Sequence, residues 1–264
     1  TKDFSWNTDF IFSKTKNEIT DLKSHANVLS LISGNGFGRE GYPVRGLFSI
    51  PFAGLTEDGL PTFINQDGQK TISSFNFQEY EKLDFLKYEG PTDPTITGSF
   101  GNILTYKNLK LNVFVTYSFG NVIRLDPVFS NAYSDLDAMP KEFKNRWMKA
   151  GDENVTNIPT IVSTRMNQQY AYLNMAYNAY NYSDVRIADG GFIRLKEISL
   201  SYDLPAKVIN FFRLNKLQLK LQATNLCLLY ADSKLNGQDP EFFRSGGVST
   251  PVPKQFTFTV RLGL

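Results

Sequence analysis

Histidine and cysteine occur once each in the 264 residues, as His25 and Cys227. A single cysteine cannot form an internal disulfide, so cross-links give no information about compartment. One histidine excludes most His-based metal sites, and no Ser/His/Asp arrangement can be built around it; both residues are read as structural. No catalytic residue, cofactor or metal site is expected, and the chain is not read as an enzyme. Charge of one sign is also missing. Lys and Arg number 28 and Asp and Glu 26, a formal charge of +2, so the basic patch of a nucleic-acid partner is not expected. No stretch approaches the roughly 18 apolar residues of a membrane helix; the densest run, Leu226 to Ala231, is far shorter. That lack still permits a transmembrane barrel, whose strands are about ten residues long and only half apolar.

What the chain has in quantity is aromatics, 22 Phe and 13 Tyr, which favour strands over helices. Several segments alternate with a period of two, placing successive side chains on opposite faces of a sheet. Leu109, Leu111, Val113, Val115, Tyr117 and Phe119 oppose Lys110, Asn112, Thr116 and Ser118, with Phe114 the exception. Leu217, Leu219, Leu221 and Ala223 oppose Gln218, Lys220, Gln222 and Thr224. Phe256, Phe258, Val260, Leu262 and Leu264 oppose Gln255, Thr257, Thr259 and Arg261, and Phe4, Trp6, Phe10 and Phe12 oppose Ser5, Asn7, Asp9 and Ser13. Ten or eleven residues at about 3.3 Å each reach roughly 35 Å, enough to cross roughly 25 Å of hydrocarbon at a tilt of about 45°. Leu109, Leu111, Val113, Val115, Leu217, Leu219, Leu221, Phe256, Phe258, Val260 and Leu262 are therefore expected to face lipid, and the polar partners to line a wet lumen.

Connections are unequal. Short turns are predicted at Lys14 to Asn17, around Asn108, and from Leu204 to Asn215; long ones run from about Glu57 to Thr95, Arg124 to Asp189, and Leu228 to Pro253. Loops beyond about 15 residues are uncommon unless functional, and alternation of short turns with long loops is the habit of transmembrane barrels. Pro140 to Lys149 reads as a short helix with proline in its first turn. Asp189-Gly-Gly191 reads as a turn returning the chain to a strand. Asp232 to Gly237 with Asp239 and Glu241 has a faint calcium-loop look, but Lys234 and Phe243 stand where an EF-hand needs ligands; a loop bent by Pro240 is expected.

Longer runs resemble a known family. Asp189-Gly-Gly-Phe-Ile-Arg-Leu-Lys-Glu-Ile-Ser-Leu-Ser-Tyr-Asp-Leu-Pro205, Ala223-Thr-Asn-Leu226, Gly237-Gln-Asp-Pro-Glu241 and Pro253 to Leu264 are similar to SusC/RagA-type TonB-dependent outer-membrane transporters of Bacteroidetes. So are Gly41-Tyr-Pro-Val-Arg-Gly46, Phe52 to Pro61, Asn65-Gln-Asp-Gly68, and Asn145-Arg-Trp147 with Gly151-Asp152 and Ile158-Pro159. The resemblance implies an all-β fold: about eight antiparallel strands from the C-terminal part of a large transmembrane barrel with long external loops, spanning residues 1–264. The plug domain and the N-terminal strands are expected to lie outside these residues, because Thr1-Lys-Asp-Phe enters a strand pattern at once. It further implies uptake of oligosaccharides or peptides across the outer membrane, with a SusD-like lipoprotein as lid and with TonB acting through the plug. The family's chains end in an aromatic residue, from which Leu264 departs.

Tyr170, Tyr172, Tyr177, Tyr180 and Tyr182 cluster in the longest loop. Tyrosine offers a flat apolar face and a hydroxyl, so these residues, with Trp147, are candidates for ligand or partner contact; the competing readings are an aromatic girdle or loops packed on each other. Two rival functions stand beside transport. One is a SusC-like barrel serving as a non-transporting scaffold, and the other a soluble β-sandwich that binds glycans.

Overall fold

The alternating segments form one six-stranded antiparallel sheet. The computed structural model describes residues 3–34, 38–134, 136, 139–211, 214–243 and 252–263. In it the wall strands are β1 (Phe4–Lys14), β2 (Ile96–Tyr106), β3 (Leu109–Phe119), β4 (Phe192–Asp203), β5 (Lys216–Ala231) and β6 (Gln255–Gly263), paired in chain order. Each strand runs antiparallel to the next. Among the described residues the wall has six strands, against an expected eight or so. Leu264, expected at the end of the apolar face, lies outside the described residues.

Register fixes the faces, because residues directly opposite in an antiparallel pair share one side. Leu111 pairs with Leu200, Leu200 with Leu221, and Leu221 with Phe258. Leu109, Tyr202, Leu219 and Val260 make a second row, and Leu217 pairs with Leu262. Trp6 opposite Leu104 and Phe10 opposite Phe100 extend the same face to β1 and β2. The other face carries Lys110, Ser201, Lys220 and Thr259 in one row, and Asn112, Ser199, Gln222 and Thr257 in the next. Phe114 is the predicted exception, and its neighbour explains it: Gly101 stands opposite, and a Cβ there would meet the Phe114 ring at 3.4 Å.

One sequence expectation fails at the end of β1. Lys14–Asn17 is not a short turn, since the strand beside β1 is β2, which begins at Ile96. Residues 16–93 instead leave the sheet and, with 121–189, build a second unit. The chain following Lys14 is held there by its own backbone bonds, as where Ile19 N–H donates to the Tyr42 carbonyl at 2.9 Å. Turn-forming residues report that the chain bends; they do not report how far away the next strand lies.

The second unit has a core of its own. Leu31, Ile32, Phe48, Ile50, Leu60, Phe63, Ala176, Tyr177, Ala179 and Tyr180 are buried together. Around them lie short ribbons, Gly46–Ser49 with Lys87–Pro91, Phe52–Leu55 with Pro61–Ile64, and Val122–Arg124 with Ile187–Asp189. Three helices complete it: α1 (Val28–Ser33), α2 (Thr164–Gln169) and α3 (Leu173–Asn181). Asn27 and Ser163 cap α1 and α2 by accepting from Ser30 N–H and Met166 N–H. The helix expected over Pro140 to Lys149 is a shorter 3-10 turn, Lys141–Asn145. It stops because Arg146 is extended and Trp147 N–H is taken by the Ile158 carbonyl at 2.9 Å.

Candidate functional site

Two places gather polar or aromatic chemistry, one in each unit. On the polar face of the wall, Asn112 Nδ2 donates to Glu197 Oε1 at 3.1 Å, with Lys220 Nζ at 3.9 Å from the same oxygen. Gln218 Nε2 donates to Asp203 Oδ1 at 3.0 Å. Further along β4, Arg194 stands opposite Thr116 on this face and is buried. Its Nη2 donates to both carboxylate oxygens of Asp239, at 2.6 and 2.7 Å, and lies 3.1 Å from Glu241. Two of the three carboxylates of the supposed calcium-like loop, Asp239 and Glu241, thus turn to an arginine. Asp239 also caps its own turn, accepting from Glu241 N–H at 3.1 Å, so the loop after β5 is fastened to the wall. A cavity of about 620 Å³ opens beside this group, lined by Arg194, Asn225, Tyr230, Asp232, Gln238 and Asp239 among others.

In the second unit the sequence-predicted aromatics collect around the turn from Thr56 to Leu60. Gly59 has a φ of +74°, which only glycine adopts freely, and a Cβ there would fall 2.4 Å from the Trp147 ring. Trp147 therefore lies flat on the turn, and its Nε1 donates to Glu153 Oε2 at 3.0 Å. Glu153's own backbone N–H, together with that indole, holds its carboxyl below the usual range. Tyr170 donates its hydroxyl to Asp58 at 2.9 Å, and this bond holds the phenol proton and raises its pKa. Thr160 N–H donates to the Gly59 carbonyl, and the Tyr177 hydroxyl to the Thr160 carbonyl.

The five tyrosines divide. Tyr172 is 70% exposed, and Tyr170 is partly so. Tyr177 and Tyr180 are core residues, 1% and 2% exposed, and burial pushes both phenols up. Tyr180 packs edge-on to Phe52 and Phe129, so its faces are covered by neighbouring rings. Tyr182 receives the buried Arg124 guanidinium 5.5 Å from its ring. Tyr172 is thus exposed and Trp147, Tyr170 and Tyr182 half-buried, whereas Tyr177 and Tyr180 are closed off.

Sequence reasoning gave no role to three buried arginines. Arg124 donates to the carbonyls of Phe48 and Ser183 and to Ser49 Oγ. Arg186 pairs with Glu142 over the ring of Phe129. Arg194 stands inside a quoted motif and Asp239 in another, but nothing in either run tells that they meet.

No family model matches the sequence. The chain is 25% identical to TonB-dependent receptor P3 of Formosa agariphila over 91% of its own length and 23% of that protein's. To receptor P39 of the same organism it is 23% identical, over 94% of this chain and 26% of the relative. It thus spans about a quarter of the length of the curated relatives it matches. In fold it superposes on the RagAB peptide transporter with a TM-score of 0.70 at 22% identity, covering 99% of this chain and 27% of that one. The open-open state of the RagAB peptide importer gives 0.70 at 21%, covering 100% and 27%. The ordered motifs, the curated relatives and the sheet agree: the chain is similar to a part of SusC/RagA-type TonB-dependent receptors, and its fold is that of their barrel wall.

Proposed function

We propose that this chain is part of the wall of an outer-membrane importer, with its apolar face against lipid and its polar face along the path of the solute. One observation carries the reading: a single apolar face runs across all six strands, interrupted at Thr8 and Asn102, and is left open, with Trp6, Phe10, Phe256 and Phe258 between 62% and 77% exposed. A water-soluble sandwich would press that face against a second sheet. Import would be energised by TonB through a plug, both contributed from outside these residues, and a SusD-like lipoprotein would close the external side. Oligosaccharides or peptides are the substrate class. The solved neighbours are named as a peptide transporter and a peptide importer, which supports the second. The loop aromatics Trp147, Tyr170 and Tyr172 are assigned to the lid or to the substrate.

The test sets the two faces of β3 and β5 against each other in the whole protein. Val113→Arg and Leu219→Arg are expected to block outer-membrane assembly, at a cost of about 2–4 kcal/mol near the midplane. Thr116→Arg, on the other face, is expected to assemble. Heat-modifiable mobility of the extracted barrel reads the outcome. Normal assembly of both apolar-face variants would end the lipid-facing assignment, and failure of Thr116→Arg as severe as theirs would end the wet lumen. In a cell, import that survives loss of TonB would remove the energised-transport reading.

A further inference from the structure

Both short connections of the wall lie at the same end of the sheet, yet they are built differently. β2 and β3 are joined through Lys107 and Asn108, with Lys107 taking the left-handed conformation at φ 51°. Between β4 and β5 the chain runs from Leu204 to Asn215 and includes a helix, α4 (Ala206–Phe211). Both feet of this connection are already fixed to the sheet: Leu204 N–H donates to the Leu217 carbonyl at 2.9 Å, and Asn215 N–H to the Gly263 carbonyl at 2.8 Å. Closing the hairpin does not require the helix. None of its residues is buried, and Phe211 is 81% exposed. A helix this short is unstable in water without a surface to bury its apolar side.

Its composition names the surface. From Leu204 to Lys216 the sequence carries Lys207, Arg213 and Lys216 among Val208, Ile209, Phe211, Phe212 and Leu214, with no acidic residue. Apolar side chains interleaved with cations suit the boundary between acyl chains and anionic headgroups. The wall nearby is of the same kind: Tyr202 and Tyr106 are 42% and 55% exposed at this end of the apolar face, and Lys107 Nζ lies 5.4 Å from the Tyr106 ring centroid. Short turns of such barrels face the periplasm, so the adjoining leaflet is the inner one. We propose that α4 is an interfacial anchor, with Phe211 inserted at the level of the upper acyl chains and Lys207 drawn to the phosphates of anionic phospholipid. The inference rests on the lipid-facing assignment of the wall and adds a contact which that assignment does not require.

The experiment uses the whole receptor in vesicles of phosphatidylethanolamine and phosphatidylglycerol. It carries one nitroxide at a time, at Phe211→Cys, Leu219→Cys or Val155→Cys, in a background without other reactive cysteines. Power saturation compares collision with oxygen, which concentrates in lipid, against collision with a water-soluble nickel complex. The expected result is an oxygen-to-nickel ratio at Phe211 several-fold above that at Val155 and below that at Leu219, together with a several-fold drop when Lys207→Glu is added. A Phe211 label as open to nickel as Val155, with Leu219 in lipid, overturns the anchor and leaves the wall reading standing. A label shielded from both reagents means that α4 docks on protein, and this too overturns it. If Leu219 itself reports water, the lipid-facing assignment falls first.

Discussion

Glu89 shows how the second unit tolerates charge. Its side chain is 9% exposed, 3.5 Å from Lys87 Nζ, in the strand paired with Gly46–Ser49. Burial pushes its carboxyl up most strongly. Lys87 pulls it back, Asp184 pushes it further, and a hydrogen bond with Ser49 lowers it slightly; the balance remains upward. A carboxyl raised in the folded state favours folding most below its ordinary value of 4.5, and that contribution fades as pH rises through the raised value. Glu89→Gln removes the group that must ionise. The variant should therefore gain on the wild type as pH climbs from about 4 through the raised value, with the two closest at the acid end. Urea midpoints of the whole protein in micelles at several pH values measure the difference; a gap that widens toward acid would contradict the direction. Nothing in the sequence around Lys87-Tyr-Glu-Gly90 marks this carboxyl as buried, because its burial comes from residues far along the chain.

Among elements, strict alternation was enough to place the faces of β1, β3, β5 and β6, since period two leaves only two ways to orient a strand. β2 escaped because glycine and asparagine dilute its apolar side. Gly98 is there for a reason of packing. Tyr117 crosses it to donate to the Ile11 carbonyl at 2.9 Å, and a Cβ on Gly98 would fall 2.3 Å from that hydroxyl. β4 carries a subtler signal. Leu195 pairs with Val115 on the apolar side while Glu197 pairs with Phe114 on the other, so Lys196 is a bulge that reverses the parity of the strand. The switch from Ile193 and Leu195 to Ile198 and Leu200 is visible in the sequence, but a reader needs the partner strands to know which residue was skipped. The Arg194–Asp239 pair was not legible at all, for it joins β4 to the loop after β5. Its removal gives a prediction at this scale. Arg194→Ala leaves the Asp239 carboxylate, 8% exposed, without its partner, and unpaired buried charges cost about 3–5 kcal/mol. The urea midpoint should fall accordingly, and Arg194→Met combined with Asp239→Leu should recover most of the loss. A neutral Arg194→Ala would show that the pair does not hold the loop.

At the scale of the whole molecule the two units obey different rules. The clustered apolar core lies wholly within residues 16–93 and 121–189, whereas the wall buries Ser99, Ser118, Arg194 and Ser199 and leaves many of its large apolar side chains, Trp6, Phe10, Leu221 and Phe256 among them, exposed. The wall is a sheet with one apolar face left open, which is what the proposed contact with hydrocarbon requires; the second unit is an ordinary protein interior closed by ring-to-ring contacts and buried arginines. The second unit is interrupted only by the β2–β3 hairpin, and the cut ends are close, since Gly90 lies against the Val122 side chain, 3.2 Å from where a Cβ would stand. Replacing residues 94–120 by a short Gly/Ser linker in a chain running from 16 to 189 should therefore yield a module that folds in water without detergent. It should unfold in one cooperative step, with stability in the usual range of about 5–15 kcal/mol. Circular dichroism melting and denaturant titration decide this. Aggregation, or a broad transition without a baseline, would mean that the core between Phe48, Phe63 and Tyr180 forms only when the wall holds the two segments together.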